Sequence, residues 1–388
     1  MKRLTSFSFL LAAAMALPLA SCGNTTAKSQ VDPQIIEQQL QGMTLREKVG
    51  QLFCVRPEAF DVALEWDTYS KIATYQLQDV NEQMVKVNAE YPAGGIILFA
   101  HNIKDEDQLA GFIGKLKEFN GDPLFYIDEE GGRVARIGNN ENFPVQHFPA
   151  MGEIGKTGDT KNAYEAGSVI GTYLRHYGFD VDLAPVADVN TNPKNPVIGT
   201  RSFSDDPKEA AKMVCAFIKG LDEAGVAACV KHFPGHGDTQ TDSHLGYAQT
   251  TKTWEEILAC EMVTFKAAIA KDVPMIMTAH IGTPNVTGNE LPSTLNPVIL
   301  TEKLRGELGY KGIIITDGMA MGAITRQYES GEAAILSLQA GADIILGPKN
   351  FIEAFDAVMK ALEDGTLTEE RVNESVRRIL TLKANLRK

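Results

Sequence analysis

The chain is 388 residues long, 44% hydrophobic and 22% charged, with a formal net charge of −13 at pH 7. That length suits one large α/β domain or two ordinary ones. The acidic balance argues against general binding to nucleic acid or anionic membranes. It leaves an anionic substrate open, because a few local Arg and Lys side chains suffice to hold a carboxylate.

In chain order, Met1-Lys2-Arg3 forms a basic start, followed by the apolar run SFSFLLAAAMALPLA. Leu19-Ala20-Ser21-Cys22 then has the small-residue pattern of a bacterial lipoprotein signal. An ordinary secretory signal is the alternative. In the lipoprotein reading, residues 1–21 are removed, Cys22 becomes the lipidated N-terminus, 22–33 is a tether and 34–388 is the working domain. No later segment reaches the ~18 uninterrupted apolar residues of a membrane span. The expectation is a water-soluble domain held to a bacterial membrane only by lipid, exported and facing the periplasm or the cell surface. The other cysteines, Cys54, Cys215, Cys229 and Cys260, show no CxxC spacing and fall in apolar segments, which predicts buried free thiols.

Short apolar runs recur along the domain: VGQLFCV (49–55), GGIILFA (94–100), PLFYID (123–128), DVDLAPVADV (180–189), AACVKHF (227–233), PMIMTAH (274–280), KGIIITD (311–317) and ADIILG (342–347). They are short for helices and lack polar alternation, as expected of parallel strands buried on both faces. Helical patterns separate them, including DEDQLAGFIGKLKEFN, DPKEAAKMVCAFIKGLDEAG and TWEEILACEMVTFKAAIAKD. The alternation predicts a single-domain α/β fold, a (β/α)8 TIM-type barrel. A doubly wound open sheet is the alternative, but the dinucleotide-binding G-x-G-x-x-G is missing after the first run. Residues 57–93, with Trp66 and Tyr69, form a long first crossover that reads mainly as packed helix, with a rim over the barrel mouth as the other option. LTEERVNESVRRILTLKANL predicts a final amphipathic helix.

In such a barrel, chemistry belongs at the C-terminal ends of the strands. The unusual polar residues fall there. Run three leads into Asp128-Glu129-Glu130-Gly131-Gly132-Arg133, run six ends at His280, and run seven ends at Asp317. The fourth connection carries NTNPKNPVIGTRSFSDDP with Arg201. Run five opens into KHFPGHGDTQTDSH (231–244), which holds three of the seven histidines. An isolated Asp at a strand end is commonly a helix N-cap; repetition at several strand ends favours a shared pocket.

Taken together, KHFPGHGDTQTDSH, IDEEGGRVARI, NPVIGTRSF and TDGMAMGAI resemble the family 3 glycoside hydrolases, specifically the NagZ-type β-N-acetylglucosaminidases. The resemblance runs from about residue 34 to 385. It implies that Asp317 is the nucleophile of a retaining reaction, with His244 as general acid/base and Asp242 as its dyad partner. It also implies that Asp128, Arg136, Arg201, Lys231 and His232 bind the N-acetylglucosamine. No cofactor and no metal are implied, and a monomer is expected. The implied substrate is an N-acetylglucosamine-containing oligosaccharide, such as a peptidoglycan fragment met in peptidoglycan recycling.

Residue chemistry is compatible with these roles. Retaining hydrolysis needs a carboxylate on one face of the sugar and a proton donor at the leaving oxygen, and an imidazole can give and retake a proton near neutrality. Asp242 is close enough in sequence to support the imidazolium of His244. Gly235 and Gly237 would let that loop move. His236 and Asp238 are expected to hold the loop's shape, and Glu129 and Glu130 to be structural. His280 is open between lining the pocket and packing, and His101 and His147 are expected to have no catalytic duty.

Three rivals stand beside this reading. A metal-dependent hydrolase could use His232, His236, Asp242 and His244, but VGQLFCVRP lacks the H-x-H that such barrels usually carry on strand one. A sugar-binding lipoprotein without catalysis is the second. Phosphorolysis in place of hydrolysis is the third, since an acid/base without negative charge at position 244 repels phosphate less than a glutamate would. Two departures from the family pattern put the aglycone in doubt. The export signal expected at the start of the chain is one that many relatives from Gram-negative bacteria lack, and Leu245-Gly246-Tyr247 follows the motif where relatives often have proline.

Overall fold

The computed structural model describes residues 31–62, 75–241 and 248–388. Each of the eight apolar runs supplies one parallel strand: β1 Phe53–Val55, β2 Gly95–Ile97, β3 Leu124–Ile127, β4 Val181–Asp182, β5 Ala227–Phe233, β6 Met275–Thr278, β7 Ile313–Ile315 and β8 Ile345–Leu346. The β1 to β7 neighbours pair consecutively, and β8 pairs with β1 in the register Phe53↔Ile345. A parallel bridge between Ile315 and Ile344 joins the last two strands, and the Thr316 amide donates to the Ile344 carbonyl at 3.0 Å. The sheet is thereby closed into a (β/α)8 barrel, with strand residues buried on both sides as a filled barrel requires.

Local sequence explains most boundaries. The helix Pro207–Glu223 starts where Asp206 accepts the amides of Lys208 and Glu209, with proline at its first turn. The first apolar run is the exception. Its residues 49–51 complete the helix Leu45–Gln51, which has a Thr44–Glu47 capping box, so the strand is shorter than the run. The run 180–189 is also mostly irregular, because Pro185 cannot donate to the ladder. It still tracks β5, with the Ala187 amide bonded to the Lys231 carbonyl at 2.7 Å.

The helical pattern around residue 260 is split. Trp254–Ala259 and Glu261–Ile269 are separate helices that meet at Cys260. The final helix Glu369–Leu386 forms as expected and is tied to the barrel floor by Lys383, which donates to Gln51 Oε1 (2.6 Å) and to the carbonyls of Gly121 (3.0 Å) and Asp122 (2.6 Å). All four cysteines of the described residues are free. Cys54 and Cys229 are buried, whereas Cys215 and Cys260 are only half-buried, contrary to the expectation of burial for all. Trp66, Tyr69, Cys22, Asp242 and His244 lie outside the described residues. Among those described, no helix is long and apolar enough to cross a membrane.

Candidate active site

The C-terminal ends of the strands surround a cavity of about 420 Å³, within the range of small-molecule sites. Asp128, Arg136, Arg201, Lys231, His232 and Asp317 all line it, although they come from four separate stretches of chain. Apolar walls come from Ile97, Phe99, Leu183, Met277 and Leu346.

The hairpin after β3 sets the first group of polar residues. Glu129 is fully buried and accepts the amides of Arg136 (2.6 Å), Ile137 (3.0 Å) and Gly138 (2.6 Å) as well as the Tyr173 hydroxyl (2.8 Å). It folds the chain back on itself, the structural role expected of it. Arg136 thus reaches Asp128, with Nη2 donating to Oδ2 at 3.1 Å.

Glu130 departs from its expected role. It lines the cavity and takes a two-pronged bond from Arg201, Nε to Oε2 at 2.8 Å and Nη2 to Oε1 at 2.7 Å. Lys231, buried at the end of β5, pairs with both Asp128 (2.9 Å) and Glu130 (2.6 Å). Burial alone would raise the Asp128 carboxyl, but the Lys231 ammonium and the Arg136 guanidinium outweigh it and hold it well below the usual carboxylate range. Glu130 is held low in the same way, by Lys231 and Arg201 against burial. A lattice of fixed, charged hydrogen-bonding groups results. It is suited to gripping several hydroxyl or amide groups of a small polar ligand.

Asp317 follows β7 and faces the same cavity. Its Oδ1 accepts the Gly318 amide at 2.7 Å. Burial raises its carboxyl, yet neighbouring His280 and His232, the Gly318 amide and Lys231 together keep it below the ordinary range, so it is ionised at neutral pH. His280 does not line the cavity. It lies beneath the Asp317 turn, with Nε2 donating to the Gly318 carbonyl (3.0 Å) and Nδ1 bonded to the Thr294 hydroxyl (2.9 Å). Burial lowers its pKa.

The histidine stretch after β5 is held more tightly than its glycines suggest. A Cβ on Gly237 would lie 1.8 Å from the Val189 carbonyl, and one on Gly235, at φ +123°, would lie 2.3 Å from Glu261. These glycines permit close packing of the segment 235–239. Asn195 Nδ2 donates to the His236 carbonyl (2.7 Å), and His236 Nδ1 bonds the Thr239 hydroxyl (2.7 Å). Asp238 bonds Thr191, as expected of a shape-holding residue, while His236 also lines the cavity.

Two residues went unrecognised in the sequence. Asp188 accepts from His232 Nδ1 at 2.7 Å and from the His236 amide at 2.6 Å. Its signal was a carboxylate next to the end of an apolar run, close to the feature that marked Asp128 and Asp317. Arg56, just past β1, lines the cavity with its guanidinium 4.5 Å from the Phe99 ring centre. His101 is buried against Glu58 at 2.9 Å and His147 is exposed, both away from the cavity lining. Among the described residues, no group of three or more His, Cys, Asp and Glu side chains is arranged to hold a metal ion.

Comparison with known proteins agrees with this geometry. Residues 44–382 match the family described as the glycosyl hydrolase family 3 N-terminal domain. Over 334 residues the chain is 36% identical to β-hexosaminidase A of Pseudoalteromonas piscicida, covering 78% of this chain and 55% of that protein. It is 36% identical to the β-hexosaminidase of Tolumonas auensis over 66% of this chain and 76% of the relative. A solved family 3 β-N-acetylglucosaminidase from Paenibacillus superimposes with a TM-score of 0.80 at 36% identity, over 89% of this chain and 63% of that one. The chain therefore spans less than two thirds of the first and third of these relatives.

Proposed function

The chain belongs to glycosyl hydrolase family 3, and on that footing we propose that it is a retaining exo-β-N-acetylglucosaminidase. In this reading it removes terminal β-linked N-acetylglucosamine, with peptidoglycan fragments as the natural source. Asp317 attacks the anomeric carbon as the bond to the leaving oxygen breaks, giving a glycosyl-Asp317 ester. His244, paired with Asp242, protonates that oxygen and then takes a proton from the water that cleaves the ester.

The observation that best supports this reading is the placement of Asp317, ionised, in one cavity with the Asp128–Lys231–Glu130–Arg201 lattice. The lattice would hold the sugar's hydroxyls and acetamido group while the carboxylate meets its anomeric carbon. The solved relative is itself a β-N-acetylglucosaminidase. Anchoring through a lipid on Cys22 completes the proposal; fatty-acid labelling that is lost in Cys22→Ser would bear it out.

The test is turnover of an aryl β-N-acetylglucosaminide against the matching β-glucoside. A clear preference for the acetamido sugar is expected, with free sugar and not sugar 1-phosphate as product. An enzyme active only after zinc is supplied would overturn the reading.

A further inference from the structure

Asp188 stands just outside the cavity lining and is 1% exposed. Its Oδ2 takes a bond from His232 Nδ1 (2.7 Å), and the His232 amide lies 3.2 Å from the same oxygen. Its Oδ1 takes the amide of His236 at 2.6 Å, and its main-chain carbonyl takes the Ser202 hydroxyl next to Arg201 at 2.6 Å. The residues after it complete a cradle. Gly237 packs against the Val189 carbonyl, the Asn192 amide donates to the Gly237 carbonyl at 3.1 Å, and Asn195 holds the His236 carbonyl.

We propose that Asp188 is a positioning residue that serves both halves of the reaction. One oxygen orients the His232 imidazole toward the sugar, and the other anchors the root of the segment that runs on to Asp242 and His244. The inference rests on the glycosidase reading above, which assigns the sugar to His232 and the proton donor to His244.

The two oxygens act in different ways. With Nδ1–H donating to Asp188, the neutral His232 ring is held as one tautomer, its Nε2 lone pair turned toward Arg201 Nη2 3.5 Å away. His232 then presents an acceptor beside the charged lattice. A carboxylate can accept the amide and the imidazole N–H together. An asparagine can accept the His236 amide through Oδ1, but its NH2 would face His232 Nδ1 and favour the opposite tautomer.

Asp188→Asn and Asp188→Ala therefore separate the two functions on a series of aryl β-N-acetylglucosaminides with leaving groups of rising pKa. Asp188→Asn should lower kcat/KM by about tenfold to a hundredfold, evenly across the series, the scale typical of lost outer hydrogen-bond partners. Asp188→Ala also frees the loop root, so its additional loss should grow with leaving-group pKa, where protonation matters most. In a His232→Ala background, Asp188→Asn should have little further effect.

Wild-type kcat/KM in Asp188→Asn, or a loss in Asp188→Ala that ignores the leaving group, would overturn the proposal. Should the variants fail to fold, 15N resonances of the His232 ring in the wild type decide the matter. Protonation at Nδ1 in the neutral ring supports it, and protonation at Nε2 refutes it. An inactive wild type with the Nδ1–H tautomer would instead sink the glycosidase reading and leave the placement by Asp188 intact.

Discussion

Lys231 and Asp128 are joined by a 2.9 Å ion pair between the ends of β5 and β3, and the lysine side chain is only 2% exposed. The same ammonium neutralises Glu130, so one cation serves two carboxylates. Removing it leaves two buried negative charges facing each other with only the two arginines to compensate. Lys231→Met should therefore destabilise the fold by about 3–5 kcal/mol, the usual effect of breaking a buried pair from one side. Urea unfolding would measure it, and adding Asp128→Asn to Lys231→Met should recover part of the loss. A single variant as stable as the wild type would show that the lattice is not needed for folding.

Asp317→Asn should abolish turnover of aryl β-N-acetylglucosaminides, because an amide cannot form the glycosyl ester, while binding of N-acetylglucosamine survives within a few-fold. His244→Ala should differ in pattern. Loss should be small with a nitrophenol leaving group and large with an alkyl one, since only the latter needs a proton. Equal loss for both leaving groups in His244→Ala would remove that residue from the acid/base role.

The barrel was legible because buried parallel strands read as apolar runs, and all eight runs contain a strand of the closed sheet. The cavity residues were legible where a charge interrupts such a run, as at Asp128, Lys231 and Asp317. Two features were not. Glu130 looked like its structural neighbour Glu129, and only the fold shows that adjacent side chains point to opposite faces of the hairpin backbone, one to Tyr173 and one to Arg201. Gly235 and Gly237 also have a packing role, which was hidden because sequence shows the missing side chain but not the Val189 carbonyl or Glu261 that occupies its place.

The carboxyls of Asp128, Glu130, Asp188 and Asp317 are all depressed in the folded protein, each by neighbouring cations, histidines or amides that outweigh burial. Unfolded, they titrate near about 4. The folded state thus binds fewer protons than the unfolded state in the acid range. The stability these groups provide is complete above about pH 4 and lost as pH falls through their folded values. Through these four groups, urea midpoints should fall steeply below about pH 4. The acid limb of kcat/KM should follow Asp317 and lie below the ordinary carboxylate range. His280→Gln, which removes its largest favourable neighbour, should move that limb to higher pH.

Gly237→Ala tests whether the root of the histidine loop is anchored or mobile. The added methyl would meet the Val189 carbonyl at 1.8 Å, which is backbone on both sides and cannot turn away as a side chain could. Relief requires the segment 235–239 to lift from its cradle, weakening the bonds from Asn195 to His236 and from Asn192 to Gly237. The cost should be about 1–3 kcal/mol, as for other overpacked sites. If the root is an anchor, kcat should fall most on substrates with poor leaving groups, while the affinity for free N-acetylglucosamine changes little. Were the root a hinge instead, Gly237→Ala would leave that leaving-group dependence unchanged. The anchored root predicts that Gly237→Ala alters that dependence, because the displaced backbone leads on toward position 244, the proton donor of the proposed mechanism.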